Sequence, residues 1–288
     1  MAKLLQTPPD EPDPLLARLR ADVESGRLAL PSLPGVAQRV IGILHGPACN
    51  TQRLADAIAA DPAIAAKLLR AANSAVYRGH NPCESVNAAV VRLGTNAVQH
   101  LVMSISLLSV FASRDPEASR RMSRLWAHSV RVAATARVLV QRLRRDGRVD
   151  ADPDQALLAG LLHDVGAVPL IDLSARDPAV LGPPAAADGE IDRLKGTVGA
   201  MLLERWNLPT ALVDVARHAE VWRRSRERPL DLCDLVQVAQ LCAGHGAAGG
   251  ASLPGFGACT AFRKLAARGL RPHECLQILD ESRAAIRA

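Results

Sequence analysis

Apolar residues recur every three to four positions along most of this chain, which is the periodicity of amphipathic helices. After Asp61-Pro62, for example, Leu68, Leu69 and Ala72 form one apolar face. Asp-Pro pairs mark several helix starts, because Asp caps a helix N-terminus and proline is favoured in the first turn. The predicted elements are a helix that begins at Thr51, helices over 63–72, 86–93, 95–111, from Asp115-Pro116 to about 145, 154–164, 191–206, 209–222, 229–243, 260–267 and 272–287, a surface loop over 177–188 and a Gly-rich link over 244–257.

The composition favours the same fold class. The chain has 288 residues and is 49% hydrophobic but only 2% aromatic, so its core must consist mainly of Leu, Val, Ile and Ala. Segments rich in Leu and Ala, without alternating β-branched and aromatic residues, favour helices over strands. We therefore predict an all-α fold, a multi-helix bundle of two packed helical sub-blocks.

Turn and composition signals divide the chain into three regions. Residues 1–30 begin with a Pro/Asp-rich stretch and form an N-terminal lead-in that we expect to be loosely attached. Residues 31–243 form the main domain, with an N-terminal block over 31–114 and a second block over 115–243. Residues 244–288 contain the Gly-rich link and the C-terminal helices.

Charge and cysteine usage constrain the setting but not the function. The net charge of +6 is mild for this length and concerns solubility. Arginines cluster at 142–148 and 223–228, where we expect solvated helix ends.

The six Cys form no CxxC pair, and no secretory leader is evident, so we expect buried thiols and a cytoplasmic protein. The longest apolar run is about a dozen residues, too short for a membrane helix of roughly 20 residues.

Candidate chemistry is concentrated in two segments. His163 and Asp164 follow a predicted helix and are adjacent, and His128 lies within the long helix before them. Imidazole nitrogen and carboxylate oxygen together can ligate one metal ion. Each residue also has a structural interpretation, since a His on an apolar helix face is commonly a hydrogen-bonded core residue.

These residues and the block before them resemble a known family. His128 with His163-Asp164 is similar to the first half of the metal site of the HD phosphohydrolase superfamily. The preceding block resembles the HDOD family, the HD-related output domain of bacterial signalling proteins. The segments that carry the resemblance are Leu33-Pro34, 61–77 (DPAIAAKLLRAANSAVY), 88–94 (AAVVRLG) and 198–209 (VGAMLLERWNLP).

Departures from the HD pattern indicate that the metal site is vestigial. The resemblance implies a closing Asp where Gln240 stands, and a further His where Lys195 stands. His218 is present but is a doubtful fourth ligand. Only His128, His163 and Asp164 are left, and one carboxylate is a poor donor set for Mg²⁺ or Mn²⁺. We expect a buried polar network and no cofactor, with weak divalent-metal binding left open.

The resemblance therefore implies a non-catalytic signal-transduction module that binds partner proteins or a small ligand. The alternative is an HD-type metal-dependent phosphohydrolase acting on nucleotides or cyclic dinucleotides. No nucleic-acid motif is evident, no membrane partner is expected, and a homodimer is left open. Four residues are expected to be structural: Asn73, Ser74, a buried Trp206, and Pro209. Asn73 ends its helix, and Asn tolerates the left-handed conformation and can bond nearby backbone groups through its side-chain amide.

Overall fold

The computed structural model describes residues 13–25, 28, 30–46, 50–74, 77, 79–182, 184–244 and 253–287. These residues form helices and connecting turns, with no strand among them. The helices are α1 (Pro14–Glu24), α2 (Gly35–His45), α3 (Thr51–Ala59), α4 (Pro62–Ala72), α5 (Val86–Leu107), α6 (Pro116–Arg145), α7 (Pro153–Leu162), α8 (Ala167–Arg176), α9 (Pro178–Leu181), α10 (Pro184–Arg205), α11 (Thr210–His218), α12 (Leu232–Gly244), α13 (Thr260–Ala267) and α14 (Pro272–Arg287). The all-α prediction is confirmed.

Two hydrophobic cores organise the helices. The smaller core is formed by α2–α5 and includes Leu54, Ile58 and Leu68. The larger core contains α6–α8 and α10–α14. Helices α2 and α5 contribute residues to both cores, so the two blocks share helices.

The predicted helix starts at Asp-Pro pairs agree with the structure. The carboxylates of Asp61, Asp115 and Asp152 each accept a hydrogen bond from a backbone amide in the first turn of the following helix. The predicted break at position 94 is also present, because Gly94 has φ 77° and ψ 161° and interrupts α5.

The predicted loop over 177–188 is wrong. This segment contains the short helix α9 and the start of α10, and Pro178 and Pro184 occupy the first positions of these helices. Proline is well tolerated there because the first amides of a helix lack an intrahelical acceptor. Helix α8 was not predicted at all.

Part of the N-terminal lead-in is docked rather than loose. Helix α1 places Leu19 in the larger core at 1% exposure, and Asp13 forms an ion pair with Arg193 of α10. Residues 1–12 and most of the Gly-rich link, 245–252, lie outside the described residues, so the expectations for them stay predictions.

The arginine clusters are more engaged than expected. Arg142 and Arg148 at the end of α6 contact Glu274 of α14. Arg224 is buried and bonds the carboxylates of Asp231 and Asp234. Arg142 and Arg148 connect the end of α6 to α14, and Arg224 is held by carboxylates at the start of α12, so the expectation of solvated helix ends fails for these three.

Two segments of the described chain, Val86–Phe111 and Pro153–Arg176, are long and apolar enough to cross a membrane by length and composition alone. The apolar window of Pro153–Arg176 is 83% buried inside the protein, and that of Val86–Phe111 is 39% buried. Core helices of folded domains meet the same criterion. The expectation that no segment crosses a membrane stays a prediction.

Candidate functional site

The site forms where α6 and α7 pack closely. A Cβ atom at Gly160 of α7 would lie 2.5 Å from the Cα atom of Ala133, so only glycine permits this approach. The contact brings the imidazole of His163, at the end of α7, against that of His128 on α6. Their Nε2 atoms are 3.1 Å apart.

Hydrogen bonds constrain the two imidazoles. The carbonyl of Gly160 lies 2.7 Å from Nδ1 of His163 and can only accept, so Nδ1 carries the proton. The Nε2 atoms of His163 and His128 share a hydrogen bond, and which of them donates depends on the tautomers of the two rings. Burial, together with repulsion from His163, lowers the pKa of His128 to about 4, so this imidazole is neutral at pH 7.

The carboxylate of Asp164 completes the cluster. Its Oδ2 atom lies 3.4 Å from Nε2 of His163 and 3.8 Å from Nε2 of His128. The potential ligand atoms of these three residues all lie within 4.8 Å of one another. The structure therefore brings together the three residues that the sequence singled out as metal ligands.

A cation from the protein already contacts this cluster. Lys195 Nζ lies 3.3 Å from Asp164, 2.6 Å from Oε1 of Glu220 and 3.4 Å from Oδ1 of Asp192. Burial alone would lower the pKa of Lys195, but the carboxylates of Asp164 and Glu220 outweigh it and raise this pKa. Although burial opposes ionisation of Asp164, His163 and Lys195 lower its pKa to about 2. The ammonium and carboxylate are thus both charged.

Close helix packing places Lys195 there. A Cβ atom at Gly166, just before α8, would lie 2.0 Å from the carbonyl oxygen of Lys195 and 2.3 Å from the amide nitrogen of Gly199. Glycine at 166 therefore allows α10 to cross directly over the α7–α8 turn that carries Asp164.

Gln240 and His218, the two further positions that the family resemblance singled out, do not add metal ligands. Gln240 is buried, and its Nε2 atom donates a 3.1 Å hydrogen bond to the carbonyl of Ala219. His218 places Nδ1 3.0 Å from the carbonyl of Asp214. Among the described residues, the only cluster of three or more potential metal ligands is His128, His163 and Asp164.

This arrangement does not fit a catalytic divalent cation. It offers one carboxylate as an anionic ligand, and an ammonium group contacts that carboxylate. The adjoining cavity is about 130 Å³, smaller than the roughly 300–1,000 Å³ of pockets that hold drug-sized ligands.

Glu220 and Asp192, which contact Lys195, were missed as site residues. The i,i+3 spacing of Asp192 and Lys195 is nevertheless a visible signal on a helix.

Asn73 joins the end of α4 to Cys83. Its Oδ1 atom accepts a 2.7 Å hydrogen bond from the Cys83 amide, and its Nδ2 atom donates a 2.9 Å bond to the Cys83 carbonyl. Ser74 donates a 2.7 Å bond to the carbonyl of Ala71. Asn73 has φ −97°, so its backbone is not left-handed, and the side-chain amide bonds the backbone of Cys83 instead, as its expected structural role requires. The next residues of the family motif, 75 and 76, lie outside the described residues.

Trp206 anchors the N-terminal segment, and the expectation that it is buried is confirmed. It is 8% exposed, and its Nε1 atom donates a 2.9 Å hydrogen bond to the carbonyl of Pro31. The following Asn207 has φ 55° and is the left-handed residue of this corner. The carbonyl of Pro209 then accepts hydrogen bonds from the amides of Leu212 and Val213 at the start of α11.

A polar connection between the two blocks was not predicted. The Tyr77 hydroxyl donates a hydrogen bond to Asp154 at the start of α7, and Arg137 of α6 donates one to the Tyr77 hydroxyl. Arg137 also lies 2.9 Å from the Asp154 carboxylate. Separations of 60 to 77 residues leave no local signal for such contacts.

Comparison with known sequences gives two matches. The family model of the HDOD domain matches residues 30–221. An uncharacterised protein of Treponema pallidum (strain Nichols) is 28% identical over 202 residues, which cover 65% of this chain and 37% of that protein. The match thus spans little more than a third of that relative.

Solved structures share the fold. A protein of Shewanella amazonensis SB2B, named as a metal-dependent phosphohydrolase, has a TM-score of 0.76 at 24% identity, with 94% of this chain and 97% of that chain covered. An HDOD domain protein of unknown function from Geobacter sulfurreducens has a TM-score of 0.63 at 23% identity, with 94% and 95% covered. A protein of Marinobacter aquaeolei VT8, named as a signal transduction protein, has a TM-score of 0.63 at 22% identity, with 93% and 62% covered.

Proposed function

The chain belongs to the HDOD family, and on that premise we propose that it is a non-catalytic regulatory module of signal transduction in the cytoplasm. It acts by binding a signalling partner protein or a small ligand and holds no metal cofactor. The name of the Marinobacter aquaeolei neighbour, a signal transduction protein, is consistent with this role. Nucleic acid and membrane are not proposed as partners, and self-association into a homodimer is a further outcome to measure.

One observation carries the proposal: the ammonium of Lys195 contacts the only carboxylate of the HD cluster, at 3.3 Å. A metal-dependent phosphohydrolase needs a divalent cation that activates water and neutralises phosphate charge. A cation bound to Asp164 would lie close to this ammonium and be repelled by it. The hydrogen bond between His128 and His163 further occupies the nitrogen that each imidazole would offer.

The shared helices support a regulatory role. Helices α2 and α5 contribute to both cores, and Tyr77 and Asp154 connect the blocks outside these helices. A partner that contacts α2 or α5 would therefore act on elements that shape both blocks. Coupling of this kind requires packing and hydrogen bonds but no chemistry at the HD cluster.

Two measurements on the purified protein test the proposal. Elemental analysis after dialysis should find well under one Mn, Fe, Mg or Zn ion per chain, and nucleotides and cyclic dinucleotides should be hydrolysed no faster than by a heat-denatured sample. Tagged protein should capture a partner from a native lysate, untagged protein should compete for it, and the two purified proteins should bind directly.

The alternative is an HD-type phosphohydrolase acting on nucleotides or cyclic dinucleotides. It is favoured by the three potential ligand atoms within 4.8 Å. One bound metal per chain, with hydrolysis that disappears in His163→Ala, would establish this alternative and refute the non-catalytic proposal.

A further inference from the structure

We propose that Cys242 of α12 and Cys275 of α14 form an oxidative modification site, at which a peroxide converts the two thiols into a reversible disulfide that fixes the C-terminal helix to the main domain. This inference goes beyond the proposed function and does not depend on it. Disulfides of cytoplasmic proteins are mostly transient and redox-sensing, so a reversible bond suits the proposed location.

The two thiols meet where α12 and α14 pack together. Cys242 and Cys275 are each 1% exposed and belong to the larger core. Their side chains are hydrogen-bonded to each other, although the two residues are far apart in the chain. A disulfide requires two cysteines that direct their sulfur atoms at each other, and this contact meets that requirement.

The contact makes the two thiols unequal. The hydrogen bond from Cys242 lowers the pKa of Cys275 although burial opposes this, and the same bond together with burial raises the pKa of Cys242. Cys275 is also the fourth residue of α14, near the end of the helix where the dipole favours negative charge. Cys275 therefore ionises first, and the thiolate is the form of cysteine that reacts.

The oxidation proceeds in two steps with hydrogen peroxide as the oxidant. The Cys275 thiolate attacks one peroxide oxygen, so an S–O bond forms, the O–O bond breaks and hydroxide leaves, which takes up a proton to become water. The Cys242 sulfur then attacks the sulfur of this sulfenic acid, so the S–S bond forms and a second water leaves with the Cys242 proton. The two thiols together lose two electrons, and one peroxide is reduced to two waters.

The position of both cysteines at helix ends gives the oxidant a route to them. Cys242 lies in the last turn of α12, which ends at Gly244, and Cys275 lies at the start of α14. Helix ends open locally at a lower free-energy cost than the centres of core helices. A small peroxide can therefore reach the pair without global unfolding.

Cys233 is the matched control within the chain. It lies on α12 like Cys242 and is 2% exposed, so it is buried to a similar degree. Burial, and not a second thiol, is the main reason that its pKa is raised to about 12, and the same holds for the raised pKa of Cys259. A raised pKa keeps a thiol protonated and slow to react.

The test maps the cysteines of wild type after oxidation. Reduced protein, freed of reductant, is treated with hydrogen peroxide, alkylated in guanidinium chloride and digested. Mass spectrometry should find a peptide pair joined through Cys242 and Cys275, the six thiols of the chain should fall by two, and dithiothreitol should restore them. The disulfide should also raise the melting temperature by about 5 °C, because it closes the loop that contains α13.

Three variants test the order of the steps and the choice of partner. In Cys242→Ala, peroxide should leave a sulfenic acid on Cys275 that dimedone traps, whereas Cys275→Ala should give no dimedone adduct on Cys242. Cys233→Ala should form the same cross-link as wild type.

Six thiols that survive the peroxide, or a cross-link between other cysteines, would refute the modification site. A dimedone adduct on Cys242 but none on Cys275 would refute the assigned order. A cross-link that leaves the melting temperature unchanged would show that the disulfide does not fix α14. If an alanine variant does not fold, the cross-link map of wild type still decides the site, and none of these results bears on the non-catalytic function.

Discussion

Asn73 and Cys83 exchange two hydrogen bonds, one of 2.7 Å to the Asn73 carboxamide oxygen and one of 2.9 Å from its nitrogen. A single side chain thus satisfies both backbone groups of a residue ten positions later. The bonds close the segment between α4 and α5, which carries Tyr77 toward the second block.

Asn73→Ala should lower the free energy of unfolding by about 1–3 kcal/mol, because it leaves two backbone groups of the buried Cys83 without partners. Urea denaturation measures this change. Asn87→Ala, at an exposed position of α5, is the control and should cost less than about 0.5 kcal/mol. An unchanged stability in Asn73→Ala combined with loss of a partner would assign Asn73 to recognition instead.

Trp206→Ala should destabilise the protein by about 3–5 kcal/mol, since it removes a buried indole and leaves a cavity. Trp206→Phe keeps most of the apolar volume and loses the bond to the Pro31 carbonyl, so it should cost about 1 kcal/mol. Equal losses in the two variants, measured by urea denaturation, would mean that the hydrogen bond and not the packing holds this corner.

Tyr77 and Asp154 should be energetically coupled, because the Tyr77 hydroxyl donates to this partly buried carboxylate. A double-mutant cycle with Tyr77→Phe and Asp154→Asn should give a coupling energy of about 1–2 kcal/mol. Additive effects would show that the two blocks are held together by the shared helices alone.

The sequence predicts the elements that carry local signals and misses those that depend on tertiary contacts. Helix α6 was predicted because Asp115-Pro116 marks its start and apolar residues recur along one of its faces. Helix α8 has no such start signal, because Gly166 before it makes no side-chain cap and its first five residues, Ala167–Ile171, are all buried. Proline was read as a loop signal over 177–188, where it starts helices.

The same distinction applies to the candidate site. His163 and Asp164 are adjacent in the chain, so their motif is visible in the sequence. Glu220 reaches Lys195 only because α10 and the end of α11 pack together, and a polar residue after a helix gives no hint of that partner. The left-handed conformation of Asn207 was not predicted, because Asn is compatible with several turn geometries.

Asp164 should make the stability of the protein depend on pH in the acid range. Its pKa is about 2 in the folded protein and roughly 3.9 when unfolded. The unfolded state therefore binds more protons between these values, so this contribution is complete above about pH 5 and is lost as the pH falls toward 2. Urea denaturation between about pH 6 and 3 should show a shallower decline in Asp164→Asn than in wild type. Asp280→Asn, which removes an exposed carboxylate of α14, should keep the wild-type slope.

Gly166 should be the least replaceable glycine near the site. A Cβ atom there would lie 2.0 Å from the Lys195 carbonyl oxygen and 2.7 Å from the Cα atom of Gly199, and both are backbone atoms that cannot rotate away. Gly166→Ala must therefore push α10 off the α7–α8 turn, and we expect a loss of more than about 3 kcal/mol or failure to fold. Gly189→Ala, in an exposed part of the same helix α10 with no atom within 4 Å of the new methyl group, should instead stabilise the protein by about 0.5–1 kcal/mol through helix propensity. Thermal and urea denaturation of the pair test this directly. If Gly166→Ala were as stable as Gly189→Ala, α10 would not cross the turn as closely as described, and the contact of Lys195 with Asp164 would lose its structural basis.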